Sequence, residues 1–331
     1  MFLRNLWLSI ILIFSMISSL SAATIKWDMA NEYQESSIHG EGQKVFSETL
    51  ARKTNGKIKI TNHFGGSIGY KSKEHFDAVG DGAIQLANTS MGQVAGIEPM
   101  FLLSSLPFLV GSADEANMLW EVAKPHYEKV FAKHNQVLLY ASPWPPAGIW
   151  SKKPVLSTSD LNGLKIRAWD ASGTRTLKTA GAAAVQMSWA DVVPQLSAGG
   201  IDAVLTSAEG GVNAKFWDNG LTHFNAINYS MSLNMTHINK DVYDALNSSQ
   251  KNALHAAADA AGKAAWSALA TRVSENFSDM RKNGITVAET VPANFLGSLN
   301  KAGDGVYSDW LGKVGSNGKN ILDQYNKRRG K

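Results

Sequence analysis

One residue of this chain combines a permanent charge with a strand-end position: Arg167, in "NGLKIRAWDASG" (Asn162 to Gly173). The alternation in "GLKIRAW" puts Leu164 and Ile166 on one face of a short strand, with Lys165 and Arg167 on the other. A solvated strand-end arginine is the plain reading. However, a strand end entering a helix-bearing loop is where open α/β sheets place ligand contacts. A guanidinium there offers a planar fork that matches a carboxylate in two parallel hydrogen bonds. Tryptophans gather around it: Trp144, Trp150, Trp169, Trp189 and Trp217 fall in one stretch of chain. Trp144, Trp169 and Trp189 adjoin expected strand ends, where lining a cleft competes evenly with core packing. Trp150 and Trp217 are expected in the core.

Patterns that would carry catalysis are missing from the sequence. It has no H-E-x-x-H and no G-x-x-x-x-G-K-[ST]. None of the eight histidines pairs with another at metal-ligand spacing, so His63, His223 and His237 are read as surface or core residues. With no cysteine there is no thiol chemistry, no thiolate metal site and no disulfide. The glycines of "HFGGSIG" match no dinucleotide fingerprint and read as a loop. No metal or cofactor is expected.

The elements that must position Arg167 follow a βα rhythm. "ATIKWDMA" reads as a strand, "SSIHGEGQKVFSETLARKTNG" as a helix closed by Asn55-Gly56, and "KIKITNHF" as a half-buried strand. "SKEHFDAVGDG" and "AIQLANTS" continue the pattern. A helix over "DEANMLWEVAKPHYEKVFAKHN", broken by Pro125, leads to the strand "QVLLYASP". The rhythm then restarts with strand "LKIRAW", helix "ASGTRTLKTAG", strand "AAVQMS", helix "WADVVPQLSAGG" and strand "IDAVLTS". Two such runs predict two α/β lobes with mostly parallel sheets. The alanine-rich stretch from Ser248 to Gly284 is the longest helical segment, with Asn247 or Ser248 as its cap, and is long enough to brace both lobes.

Composition sets the outer bounds. The chain has 331 residues, 44% of them hydrophobic, which suffices for two packed domains without disulfides. A formal charge of +4 gives no case for nucleic acid, and "KRR" at Lys327 to Arg329 reads as a solvated tail. Arg4, the apolar "LWLSIILIFSMI" and the small residues of "SSLSAA" predict a cleaved export signal over residues 1–23; a retained anchor is the alternative. No second long apolar segment follows.

The segment "DLNGLKIRAWDASGTRTLKTAGAAAVQMSWADVVPQLSAGGIDAVLTSAEGG" resembles the central signature of the DctP-like substrate-binding proteins of tripartite ATP-independent periplasmic (TRAP) transporters. Similarity extends to "ARKTNGKIKI", "LSSLPFLV" and the late alanine-rich helix, and so covers most of the chain. The resemblance implies a two-lobed periplasmic-binding-protein (Venus flytrap) fold with hinge segments and a bracing helix. It implies lobes of residues 24–145 with about 230–272, and of 146–229 with about 273–331. It also implies that Arg167 binds a ligand carboxylate, with Asn88, Trp189 and Asp170 at matching cleft positions. Two departures bear on the ligand. Where many relatives carry a second arginine this chain has "PWPPAG", with Ala147 near that slot, and Thr206 stands where the family has asparagine.

The expectation is therefore a periplasmic receptor, not an enzyme, that captures a small organic acid and delivers it to a TRAP permease for ion-gradient-driven uptake. A monomer is expected. Trp144, Pro145 and Pro146 offer flat apolar walls, and Asn88, Thr206 and Ser207 can take a hydroxyl or keto group. A monocarboxylate with an apolar or aromatic body is favoured over a dicarboxylate, unless Arg175 or Lys215 supplies a second charge. A ligand-presenting sensory protein and a secreted carboxylate-dependent hydrolase are the competing readings.

Overall fold

A computed structural model describes residues 24–330, so the expected export signal at residues 1–23 lies outside the described residues. The first run of the chain is β1 (Ile25–Asn31), α1 (Ile38–Lys53), β2 (Ile58–His63), α2 (Ser72–Gly80), β3 (Leu86–Ser90), α3 (Ala113–Lys133) and β4 (Gln136–Pro143). The second is β5 (Ala147–Ser151), α4 (Thr158–Leu161), β6 (Lys165–Ala168), α5 (Ala171–Thr179), β7 (Ala183–Gln186), α6 (Val192–Ser197), β8 (Ala203–Ser207), α7 (Ala208–Asn213) and β9 (His223–Asn225). The chain then returns through β10 (Leu233–Asn239), α8 (Lys240–Asp244) and α9 (Ser248–Lys282), and ends with β11 (Thr286–Ala288), α10 (Ala293–Val314) and α11 (Ser316–Arg328).

Two sheets result, ordered β2-β1-β3-β10-β4 and β11-β9-β5-β8-β6-β7. This is the two-lobed α/β architecture, and the expected parallel character holds with one exception in each sheet. β10 runs antiparallel to β3 and β4, and β5 runs antiparallel to β8 and β9. Those two strands are where the chain changes lobe. Neither has a helix before it to announce a parallel crossover, and β5 lies just past a proline pair that reads as loop. The two crossings run side by side, with Trp144 N donating to Ser232 O at 2.9 Å and Ala147 N to Ser230 O at 3.0 Å. Pro145 and Pro146, between them, have no N–H to satisfy.

α9 makes a third link. Asn247 caps it by accepting from Gln250 N at 2.9 Å, and the Gln250 side chain reciprocates. Its first half packs Leu254, Ala257 and Ala261 with Phe46 and Leu50 of the first lobe. Its last turns bring Phe277 and Met280 against Trp150 and Phe224 of the second. α10 also spans the lobes: Phe295 and Leu299 join Ile166 and Leu177, whereas Val306 and Trp310 join Phe101 and Tyr127.

Three expectations need correction. α3 continues through Pro125, which is solvent-exposed, so the Glu121 carbonyl freed by the missing N–H faces water. The tail does not all go to the second lobe: α11 buries Ile321 and Tyr325 in the first-lobe core, because its apolar stripe matches α3. The "KRR" cluster is correspondingly engaged, with Arg328 on Glu121 at 3.0 Å and Arg329 on Glu115 at 3.6 Å.

The second-lobe core admits no extra atom beneath Trp150. A Cβ on Gly211 in α7 would lie 2.1 Å from that ring, which is fully buried. Gly211→Ala is expected to destabilise the protein by about 1–3 kcal/mol through overpacking. Gly312→Ala, on an exposed face of α10 with nothing within 4 Å, should stabilise by about 0.5–1 kcal/mol. Urea denaturation of both variants checks the contrast.

Candidate ligand-binding site

The strand ends of both sheets converge on one narrow cavity between the lobes. β6 and β8 of the second sheet contribute Arg167, Trp169, Thr206 and Ser207. The crossings contribute Trp144, Pro145, Ala147 and Ser232; β1 and β3 of the first sheet bring Tyr33 and Ser90; Trp189 opens the short 3-10 turn Trp189–Asp191. Parallel strands all release their chain at the same edge, which is why residues distant in sequence meet here.

Arg167 is 1% exposed. Its Nε donates to Met187 O at 2.9 Å, and its Cζ stands 5.6 Å from the centroid of the Trp189 ring. Nη2 is buried and has no partner, and no carboxylate lies within ion-pair distance among the described residues. Burial pulls the guanidinium pKa down, and only the more distant Tyr33, Glu32 and Asp170 oppose that. A buried cation without a counter-charge is costly. An anion entering the cavity removes that cost.

Of the residues singled out from sequence, Arg167, Trp144, Trp169, Trp189, Thr206 and Ser207 line the cavity. Asp170 and Asn88 do not. Asp170 is the N-cap of α5, its Oδ1 accepting from Gly173 N at 2.9 Å while Oδ2 is buried without a partner. Desolvation pushes its pKa up to about 6. Asn88 spends its side chain on other amides: Oδ1 accepts from Asn234 Nδ2 at 2.7 Å, and Nδ2 donates to Thr236 Oγ1 at 3.0 Å. Ala147 does line the cavity. Neither candidate for a second cation reaches it, since Arg175 pairs with Asp309 and Lys215 is exposed. Trp150 is in the core, as expected, and Trp217 packs at its edge.

Contacts between the lobes concentrate beside the cavity. Glu32, 1% exposed, accepts from Ser72 N of its own lobe and from Ala190 N of the other, both at 3.0 Å. Lys71 Nζ meets both oxygens of Asp191 at 2.8 and 2.9 Å. Glu209 Oε1 accepts from Ile38 N at 2.8 Å and from Arg272 Nη1 at 3.1 Å.

Residues 29–309 match the family profile DctP, bacterial extracellular solute-binding protein, family 7. The chain belongs to this family. Among solved structures it is similar to a marine-metagenome TRAP solute-binding protein specific for pyroglutamate, in complex with co-purified pyroglutamate. The two are 34% identical with a TM-score of 0.87, over 92% of this chain and 99% of that one. It is also similar to an extracytoplasmic solute receptor of Bordetella pertussis that binds pyroglutamic acid, with 29% identity and a TM-score of 0.87 over 91% of this chain and 99% of that one. A monocarboxylate 2-oxoacid-binding periplasmic protein of Nostoc sp. is 26% identical over 54% of this chain and 50% of its own length. The chain spans about half the length of this and other curated relatives it matches. No described helix is long and apolar enough to cross a membrane.

Sequence reasoning about this family 7 chain missed Tyr33, Ser90, Ser232 and Glu32. Tyr33 and Ser90 sit just past or at the ends of β1 and β3, so the strand-end rule that singled out Arg167 could have found them. Ser232 precedes an antiparallel strand and gives no such signal. Glu32 reads as a surface acid until the opposite lobe is in place.

Asp170 makes stability depend on pH. Its pKa rises from 3.8 to about 6 on folding, so the folded state holds that proton more tightly. Its contribution is fully present below about pH 4 and is lost as pH rises through 6, by up to about 3 kcal/mol. Asp170→Asn keeps the helix cap and should lessen the fall of ligand-free stability with pH by the Asp170 share, as measured by urea denaturation between pH 4 and 7. Glu209, raised from 4.5 to about 7 mainly by burial, adds a decline of its own as pH rises from about 4.5 through 7, which that variant leaves in place.

Proposed function

We propose that this chain is an exported, periplasmic solute receptor that closes around a compact monocarboxylate and delivers it to a TRAP membrane permease. The observation that carries the proposal is Arg167: a buried guanidinium with a free Nη2, facing a cavity that both lobes build. The ligand carboxylate pairs with Arg167. The rest of the ligand lies among Tyr33, Trp144, Trp169 and Trp189, with Thr206, Ser207 and Ser232 available to a carbonyl or hydroxyl. A second carboxylate beside Ala147 and Pro145 would be desolvated without a cation, which disfavours dicarboxylates.

Pyroglutamate fits these demands, being a small ring with one carboxylate and one lactam. Both pyroglutamate-binding relatives named above support it. Capture requires closure alone, with no bond made or broken. A hydrolytic role has less support, since no carboxylate lines the cavity and the flanking Asp170 and Glu32 are turned to backbone N–H groups. Uptake through the permease is driven by an ion gradient, and the receptor acts as a monomer.

A thermal-shift panel tests the ligand class. L-pyroglutamate and small 2-oxo monocarboxylates should raise the melting temperature, and succinate and malate should not; the reverse order would overturn the reading. Arg167→Lys keeps the charge and loses the fork. One charge-assisted hydrogen bond is worth roughly 1.5–3 kcal/mol, so calorimetry should show affinity for L-pyroglutamate falling about tenfold to hundredfold.

A further inference from the structure

The Trp144 wall of the cavity is held by a relay of buried polar side chains. Trp144 Nε1 donates to Asn234 Oδ1 at 2.8 Å, Asn234 Nδ2 to Asn88 Oδ1 at 2.7 Å, and Asn88 Nδ2 to Thr236 Oγ1 at 3.0 Å. An indole N–H can only donate, so it fixes the direction of every later link. Asn234 must present its oxygen to the tryptophan and its NH2 to Asn88, and Asn88 must do the same toward Thr236. Asn88, Asn234 and Thr236 are each 0% exposed and lie on adjacent strands, with Asn88 directly opposite Thr236 in the β3–β10 pairing. The relay therefore belongs to the first lobe, and its end grips a residue in the crossing to the second.

The ring is held on other sides as well. Tyr33 meets it edge-on at 4.8 Å between centroids, and His39 lies 4.1 Å away. Those contacts are apolar or aromatic and do not choose which ring edge carries the N–H. Only the relay does.

We propose that Asn88, Asn234 and Thr236 are positioning residues for ligand selection, acting through Trp144. They commit the only donor of that wall to the first sheet, so the cavity meets the carbon surface of the indole. A ligand oxygen placed there loses its water without gaining a partner, whereas a methylene edge loses nothing. The inference rests on reading the cavity as the ligand site and identifies what makes one of its walls apolar.

The test uses the mature protein with two readouts. Hydrogen exchange at Trp144 Nε1 is followed by NMR, the signal being assigned by its loss in Trp144→Phe. Affinity for L-pyroglutamate is measured by calorimetry in the wild type, Asn234→Leu, Trp144→Phe and the double variant. Indole exchange should be at least about tenfold faster in Asn234→Leu and in Thr236→Val, as expected when a buried hydrogen bond is lost. Affinity should fall about tenfold in Asn234→Leu, with no further loss from that change when residue 144 is already phenylalanine. Unchanged exchange in both variants would overturn the proposal. So would an equal loss of affinity in the two backgrounds, since the amides would then act on the fold and not through the tryptophan. Should Asn234→Leu fail to fold, Thr236→Val, close in shape, takes its place in the cycle. Failure of the wild type to bind L-pyroglutamate would count against the ligand reading, while the exchange measurement still decides the relay.

Discussion

A buried guanidinium without a counter-charge is the constraint around which this molecule is arranged. The fold offers Arg167 only partial compensation: one backbone carbonyl, the face of Trp189, and three acidic or phenolic groups beyond ion-pair distance. Asp170 is near enough to help but is committed to the N-terminus of α5. Had Asp170 paired directly with Arg167, the pair would be self-sufficient and a ligand carboxylate would have to displace it. Leaving the cation unpaired keeps its charge available to the cavity, and the core must supply the stability this forgoes.

The segment that supports Arg167 is also where the lobes meet. Met187 O accepts from Arg167, Trp189 lies against the guanidinium, Ala190 N donates to Glu32, and Asp191 pairs with Lys71. Within these few residues, contacts to the ligand-facing cation alternate with contacts to the opposite lobe. Separating the lobes would break the Glu32 and Lys71 contacts and expose the same segment to water. The state of closure and the surroundings of the guanidinium are thus coupled by short covalent connection.

Burial sets the titration behaviour of the acids that flank the cleft. Asp170 and Glu209 are held above the ordinary carboxylate range chiefly by desolvation, and each keeps one oxygen without a partner. The half-buried Lys71–Asp191 pair is a different case: its charges are partly solvated, and such pairs contribute little to stability on their own. Its value lies in geometry, since it joins residues 71 and 191 across the cleft.

The sequence by itself determined the βα rhythm, the long capped helix and the strand-end position of Arg167. Each of these is local: periodicity, a capping residue, or the residue type at a strand end, set by chain geometry within a few residues. Only the tertiary structure decided that β5 and β10 run antiparallel as they cross between lobes, because strand direction depends on where the chain returns from. It also decided that α11 packs on the first lobe and that Glu32 reaches Ala190. Asn88 shows the limit most clearly. Its polarity and its match to a cleft position of the family suit ligand contact, yet the side chain points to Asn234 and Thr236 on a strand almost 150 residues later in the chain. A buried amide takes whichever partners satisfy it, and those partners come from the other strands of the sheet, which no local pattern in the sequence records.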